Sequence, residues 1–131
     1  MALELEPQPA QRRQSPCTPD SLFRLIQSGP VWAVRLDGKL VALCGHTPMW
    51  QGRTAAWAFL GADSGPAMVQ ITRATRRLFD DLRVEFPRIE AYVDRHHEEG
   101  HRWMRLLGFK KEGLMRKFAN GIDYVMYARV V

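Results

Sequence analysis

Two hydrophobic periods alternate along this chain, and the switches between them divide it into elements. VWAVRL (31–36) and KLVALCG (39–45) are short apolar-rich runs joined by Asp37-Gly38. Asp-Gly between such runs predicts a two-residue hairpin, because both turn positions need φ > 0. HTPMWQGR then reads as a loop, leading to a third strand, TAAWAFLG (54–61). In AMVQITRATRRLFDDLRVEF the period changes. Met68, Ile71, Leu78 and Leu82 recur at helical spacing, and Arg73, Arg76, Arg77 and Arg83 supply the polar side. Pro87 closes that helix. RIEAYV (88–93) returns to period two, with Ile89, Ala91 and Val93 on one face and Arg88, Glu90 and Tyr92 on the other. Asp94 stands where it would cap a helix over 95–107. GLMRKF and IDYVMYARV follow as strands, flanking Ala119-Asn120-Gly121 as a second hairpin turn.

Ahead of the first hairpin, Thr18-Pro19-Asp20 opens a short helix, SLFRLIQ, which Ser28-Gly29-Pro30 stops. Residues 1–18 are rich in Pro, Gln and Arg and lack apolar periodicity, which predicts a flexible arm. Residues 19–131 then form one domain. The order of elements predicts an α/β (α+β) fold: a mixed sheet of about six strands with helices on its faces. Within it, residues 54–93 make a right-handed parallel crossover, whose strand ends are the place for a ligand cleft.

Composition narrows the classes. A chain of 131 residues, 46% hydrophobic and 25% charged, fits one globular domain. No apolar run has the length of a membrane span, and the N-terminus carries no apolar signal core. Cys17 and Cys44 lack metal-type spacing and are too few for a disulfide framework, so they are expected as reduced thiols. The net charge of +5 suits a phosphate-bearing cofactor, nucleic acid or an acidic partner, and equally a soluble surface. Arg73, Arg76, Arg77 and the Arg12-Arg13 pair offer a basic face, but no aromatic–basic interleaving or reader motif accompanies them. Nucleic acid is therefore not the expected partner.

The order of elements, together with Trp103-Met104-Arg105-Leu106-Leu107-Gly108-Phe109, Glu112-Gly113 and a closing Tyr-Ala-Arg strand, resembles the GNAT superfamily of N-acetyltransferases. The resemblance covers residues 20 to 130 and implies a mostly antiparallel sheet whose N-terminal part is shortened here. More narrowly, AWAFLGA, ITRATRRLFD and EEGHRWMRLLGF look like the small acetyltransferase-like proteins of podoviruses and prophages, related to their internal virion proteins.

The resemblance implies a site, and the residues present test it. The family's phosphate-binding Arg/Gln-x-x-Gly-x-Gly/Ala loop falls on the stretch from Gly61 to Ala67. Gly61, Ala62, Ser64, Gly65 and Ala67 would cradle the pyrophosphate of acetyl-CoA, with Arg73 neutralising it. Asp63 and Pro66 weaken that loop. The tyrosine that protonates the leaving thiolate in the family is replaced by Met104, which has no proton to give. The candidate catalytic groups are then Glu90 as base, His97 at the family's asparagine position, and Tyr127 on the last strand. His96, His97 and His101 are expected as an exposed cluster, not a metal site. Tyr124 and Tyr127 are expected to pack with wet hydroxyls. Trp50, between Pro48 and Gly52, is the expected interface anchor.

This thin set of groups favours a catalytically degenerate protein that docks in a virion through its arm, its open sheet edge and the Trp50 loop. A second copy of the chain is a further partner for that edge. The alternative is an acetyl-CoA-dependent N-acetyltransferase acting on a host or phage protein. The expected location is the virion or the host cytoplasm, with no membrane contact.

Overall fold

A computed structural model describes residue 24, residues 26–62 and residues 64–131. The expected arm and most of the first helix lie outside the described residues. The strands are β1 (Val31–Leu36), β2 (Lys39–Trp50), β3 (Arg53–Leu60), β4 (Arg88–Asp94), β5 (Lys110–Ala119) and β6 (Ile122–Val130). Between them lie two α-helices, α1 (Met68–Leu82), entered through a 3-10 turn at Gly65–Ala67, and α2 (Glu98–Leu106).

The six strands form one sheet in the order β1-β2-β3-β4-β6-β5. β3 and β4 run parallel and the other neighbours antiparallel. Both hairpin turns take the left-handed backbone their sequences require, with Asp37 at φ 51° and Gly38 at 81°, and Asn120 at 51° and Gly121 at 72°.

Both helices pack on one face of the sheet. Phe79 of α1 and Met104 of α2 join Leu107 and Phe109 against Ile89, Ala91 and Val93 of β4 and Val125 and Tyr127 of β6. Ile71 and Ala67 close a second cluster over Val41, Ala42 and Leu60. The buried stripe of α1 is thus Ile71, Thr75 and Phe79, with Thr75 Oγ1 donating to the Ile71 carbonyl. Leu78 is only half-buried, and Phe79 supplies the anchor.

Two expectations about elements are corrected. The segment from His46 to Trp50, read as a loop, continues β2, and Trp50 is its last residue. Proline is normally excluded from inner strands because it lacks an N–H. Here β1 pairs with β2 only as far as Gly45, so Pro48 sits where one side of β2 has no neighbouring strand, while its other side pairs with Thr54. The second correction concerns Asp94. It ends β4 and takes the His96 N–H on Oδ1 at 2.9 Å, while His97 occupies the N-cap of α2.

The Leu-Gly-Phe turn has a definite cause. Gly108 lies at φ 88°, and a Cβ there would meet Arg129 Nε at 3.2 Å. Arg129 in turn ion-pairs with Asp80 and sits over the Phe79 ring, which ties the turn to α1.

Candidate active site

The parallel pairing of β3 with β4 is short. Arg53 faces Arg88, Thr54 faces Ile89 and Ala55 faces Glu90; beyond these rungs the register between the two strands stops. Residues 56–60 of β3 and 91–94 of β4 run on apart. Into this split opens a cleft of about 1010 Å³. Its floor is small: Ala56 and Ala58 from β3 and Ala91 from β4. Its helix side is lined by Met68, Thr72 and Arg73 of α1 and by Trp103 and Met104 of α2. Trp103 Nε1 donates to Thr72 Oγ1 at 2.9 Å, fastening the two helices across that wall. The opposite side carries Trp57, Tyr92, Phe118 and Tyr124.

At the closed end of the split lies Glu90, 2% exposed. Its Oε1 accepts from Arg53 Nε at 2.9 Å and Arg88 Nε at 2.8 Å. Its Oε2 accepts from Arg53 Nη2 at 3.0 Å and the Tyr92 hydroxyl at 2.8 Å. Each carboxylate oxygen thus uses both of its lone pairs. Burial alone would raise the Glu90 pKa, but the hydrogen bonds from Arg53, Tyr92 and Arg88 outweigh it and pull it down to about 2. A carboxylate so held is a poor proton acceptor, so Glu90 does not fit the general-base role read from the sequence. Its place is that of an anchor. Arg88 extends the network to Glu112 of β5 with contacts of 2.6 and 3.1 Å.

Tyr127 also takes a different place. It lies under the helices and does not itself line the cleft, and its hydroxyl is 2.7 Å from His101 Nδ1. His101 Nε2 is 2.9 Å from the Arg95 carbonyl, which can only accept. The proton is therefore on Nε2, and Nδ1 accepts from Tyr127. The expected wet hydroxyl of Tyr127 is buried, and so are two of the three histidines expected at the surface. His97 is 8% and His101 9% exposed. Their burial follows from α2 lying flat on the sheet. His97 does line the cleft, at the head of α2. Among the described residues no His, Cys, Asp and Glu group is arranged to hold a metal.

Of the cofactor candidates, Gly65 and Arg73 line the cleft and the others do not. Gly61 is buried, its N–H on the Val41 carbonyl at 2.8 Å. Ser64 is buried and accepts the Ala67 N–H, and Ala67 packs in the core beside Ile71. Ala62 points to solvent. With Pro66 lacking an N–H and Ala67 and Met68 donating to Ser64 and Gly65, this turn offers few donors to an anion. Nor is Gly65 a close-approach glycine, since a Cβ there would meet nothing within 4 Å. Guanidinium groups of Arg73 and Arg102 at the cleft are the cationic alternative.

The sequence reading missed Arg53 and Trp57 as members of this site. The signal for Arg53 was its position at the head of a strand parallel to RIEAYV; the register that sets it beside Glu90 is a tertiary fact. Trp57 stands on β3. It is half-buried, and its Nε1 is buried without a hydrogen-bond partner at the cleft wall. Trp50, by contrast, is exposed as expected, at 77%.

No protein-family model matches the chain, and no curated protein matches it. Solved structures do. The ribosomal-protein-S5-alanine acetyltransferase from Vibrio fischeri superposes with a TM-score of 0.69 at 17% identity, over 84% of this chain and 67% of that one. A GNAT-family acetyltransferase from Elizabethkingia anophelis with acetyl-CoA bound gives 0.73 at 8% identity, over 87% and 84%. A GNAT-family acetyltransferase from Bacillus anthracis gives 0.68 at 16% identity, over 85% and 71%. The comparisons give no support to a virion-associated role. With its six-stranded, mostly antiparallel sheet split between β3 and β4, this chain has the fold of the GNAT acetyltransferases.

Proposed function

We propose that the chain is an acetyl-CoA-dependent N-acetyltransferase. The observation that carries this reading is the split between β3 and β4 and the apolar cleft that opens through it. An extended, slender chain fits between two diverging strands, where strand edges offer peptide groups to it. Ala56, Ala58 and Ala91 keep the passage narrow but clear. Arg73 and Arg102 are at hand to neutralise phosphate at the helix side, in place of the glycine-rich turn that this chain lacks. Acetyl-CoA, when bound, supplies an acetyl group activated as a thioester.

The chain's own residues do the rest. Glu90, Arg53 and Arg88 fix the depth at which the strands part. Met104 is buried at the cleft wall and holds no transferable proton, so the departing sulfur needs another donor. Tyr92 is engaged with Glu90, and His97, whose ring carries an N–H donor, lines the cleft at the head of α2. His97 is assigned that role.

Calorimetric titration with acetyl-CoA at low salt tests the reading. Saturable binding at micromolar Kd, about −8 kcal/mol, is expected. No heat and no thermal shift at millimolar CoA would remove it.

A further inference from the structure

The inference that follows rests on the acetyltransferase reading and concerns what aims the His97 ring. Gly100 is the third residue of α2, is buried, and lines the cleft beside His97. Gly38, Gly52, Gly108 and Gly121 take positive φ, which explains a glycine at each; Gly100 does not. Its backbone is that of an ordinary helix, where alanine is the better former. The demand for glycine at this position is one of space. A Cβ there would lie 2.7 Å from His97 Nδ1, 3.1 Å from His97 Cε1 and 2.9 Å from Val93 Cγ1. The imidazole thus rests against the first turn of α2, in volume that a side chain at 100 would fill.

The two neighbours of that point differ in freedom. Val93 belongs to the buried cluster under the helices, and its branched side chain is stiff at χ1. The backbone of His97 is fixed as well: its N–H donates to the Asp94 carbonyl at 2.9 Å, and its carbonyl accepts the His101 N–H at 3.1 Å. Its ring, however, makes no capping hydrogen bond to the helix. The bare backbone of Gly100 beneath the ring therefore takes part in aiming it. A methyl group at 100 would move the ring and not the strand. The contact would have to open from 2.7 Å to at least 3.4 Å, and the space open to the ring is the cleft that it lines. A misplacement of about 1 Å is enough to cost a reaction roughly a hundredfold.

We propose that Gly100 is a positioning residue for His97: by carrying no side chain, it sets where in the cleft the imidazole presents its N–H donor. Gly100 touches no reacting group and acts only through the ring. The dependence is reciprocal. A ring at 97 requires bare backbone at 100, and removing the ring releases position 100 to take a side chain.

The test needs no acceptor. The histidine ring signals of the full chain are followed by NMR, with His97 assigned from His97→Ala, before and after addition of CoA, whose free sulfur stands for the departing one. In the parent protein CoA is expected to shift the His97 ring signals and leave those of His96, which does not line the cleft, in place. Gly100→Ala should displace the His97 signals before CoA is added and remove most of their response to it, with the CoA Kd from calorimetry unchanged. A response as large as the parent's would overturn the proposal. A urea-unfolding cycle supplies the second arm. Gly100→Ala should lower the midpoint, and by less than half as much when His97→Ala is already present. If Gly100→Ala alone fails to fold, the protein carrying both changes must fold; equal losses with and without the ring would make Val93 the neighbour that matters and overturn the proposal. If CoA binds the parent protein without moving His97, the positioning role falls and the acetyltransferase reading stands. If CoA does not bind, both fall.

Discussion

Arg53, on the first rung of the β3–β4 pairing, meets Glu90, on the last rung before the strands separate, fork to fork at 2.9 and 3.0 Å. The pair crosses from one strand to the other at the vertex of the cleft. Its strength comes from burial on one side alone, since Arg53 remains 42% exposed and Glu90 is 2% exposed. A bidentate contact of this kind fixes direction as well as distance, and so sets where the two strands begin to diverge.

Replacing Glu90 with Gln leaves Arg53 and Arg88 facing one another without their common anion. Breaking a buried pair costs about 3–5 kcal/mol, and the exposure of Arg53 reduces this to about 2 kcal/mol. Urea unfolding of the Glu90→Gln protein at pH 7 should show that loss.

The same carboxylate makes stability pH-dependent on the acid side. Its pKa in the fold, about 2, lies below the ordinary 4.5, so the folded state favours the ionised form. The contribution is complete above pH 4.5 and disappears as the pH falls toward 2, in total roughly 3 kcal/mol. Unfolding midpoints measured from pH 6 to pH 3 should fall in the parent protein, and this component should be missing in Glu90→Gln.

The sequence foretold much of this site and withheld its assembly. Alternation along RIEAYV placed Arg88, Glu90 and Tyr92 on one face, and they do share one network. Both hairpins followed from Asp37-Gly38 and Asn120-Gly121, since few residues other than these tolerate φ > 0. What strand periodicity does not carry is register. Only the pairing of Arg53 with Arg88 brings a residue 37 positions away onto Glu90. Nor does it say where pairing stops, and the cleft exists because β3 and β4 stop pairing at Ala55 and Glu90. Polarity misled at His97 and His101, which are buried because they lie at the head and on the sheet-facing side of α2. It misled again at Pro48, which ends a strand only when both of the strand's edges are paired.

His46 provides a second pH effect, of distinct origin. It is 2% exposed, with Nδ1 2.7 Å from Thr54 Oγ1 and the rings of Trp32 and Phe86 edge-on at 6.0 and 5.4 Å. Burial lowers its pKa below 6.5, opposed by the nearby Glu85. A histidine kept neutral by the fold contributes stability above pH 6.5 that is lost as the pH drops and the unfolded chain takes up the proton. Stability should therefore decline between pH 7.5 and 5.5, and His46→Gln should flatten that slope. An unchanged slope in the variant would assign it to another group.

Gly45 lies directly beneath Trp57. A Cβ there would stand 2.5 Å from Trp57 Cζ2 and 2.8 Å from the Pro30 carbonyl, and one of those two contacts is backbone. Gly45→Ala should cost about 2–3 kcal/mol and displace the Trp57 ring, visible as a change in tryptophan emission. Gly113→Ala is the matched control. It meets nothing within 4 Å, and reducing the freedom of the unfolded chain should make it neutral or slightly stabilising.

The last prediction separates a cofactor cleft from a generic basic surface. Arg73 and Arg77 stand one turn apart on α1, both exposed, but Arg73 lines the cleft and Arg77 does not. If charge on α1 acts only through the net field of the protein, removing either arginine should weaken CoA binding equally. If Arg73 faces a phosphate, Arg73→Ala should weaken it about tenfold, the size of one charge-assisted contact, and Arg77→Ala hardly at all. Arg73→Lys should recover only part, since an ammonium cannot present the planar fork. The difference between the two alanine variants should shrink from 50 to 500 mM salt, because an exposed guanidinium is screened over such distances. Equal losses at both positions would place the phosphates elsewhere on the cleft, with Arg102 the next residue to change.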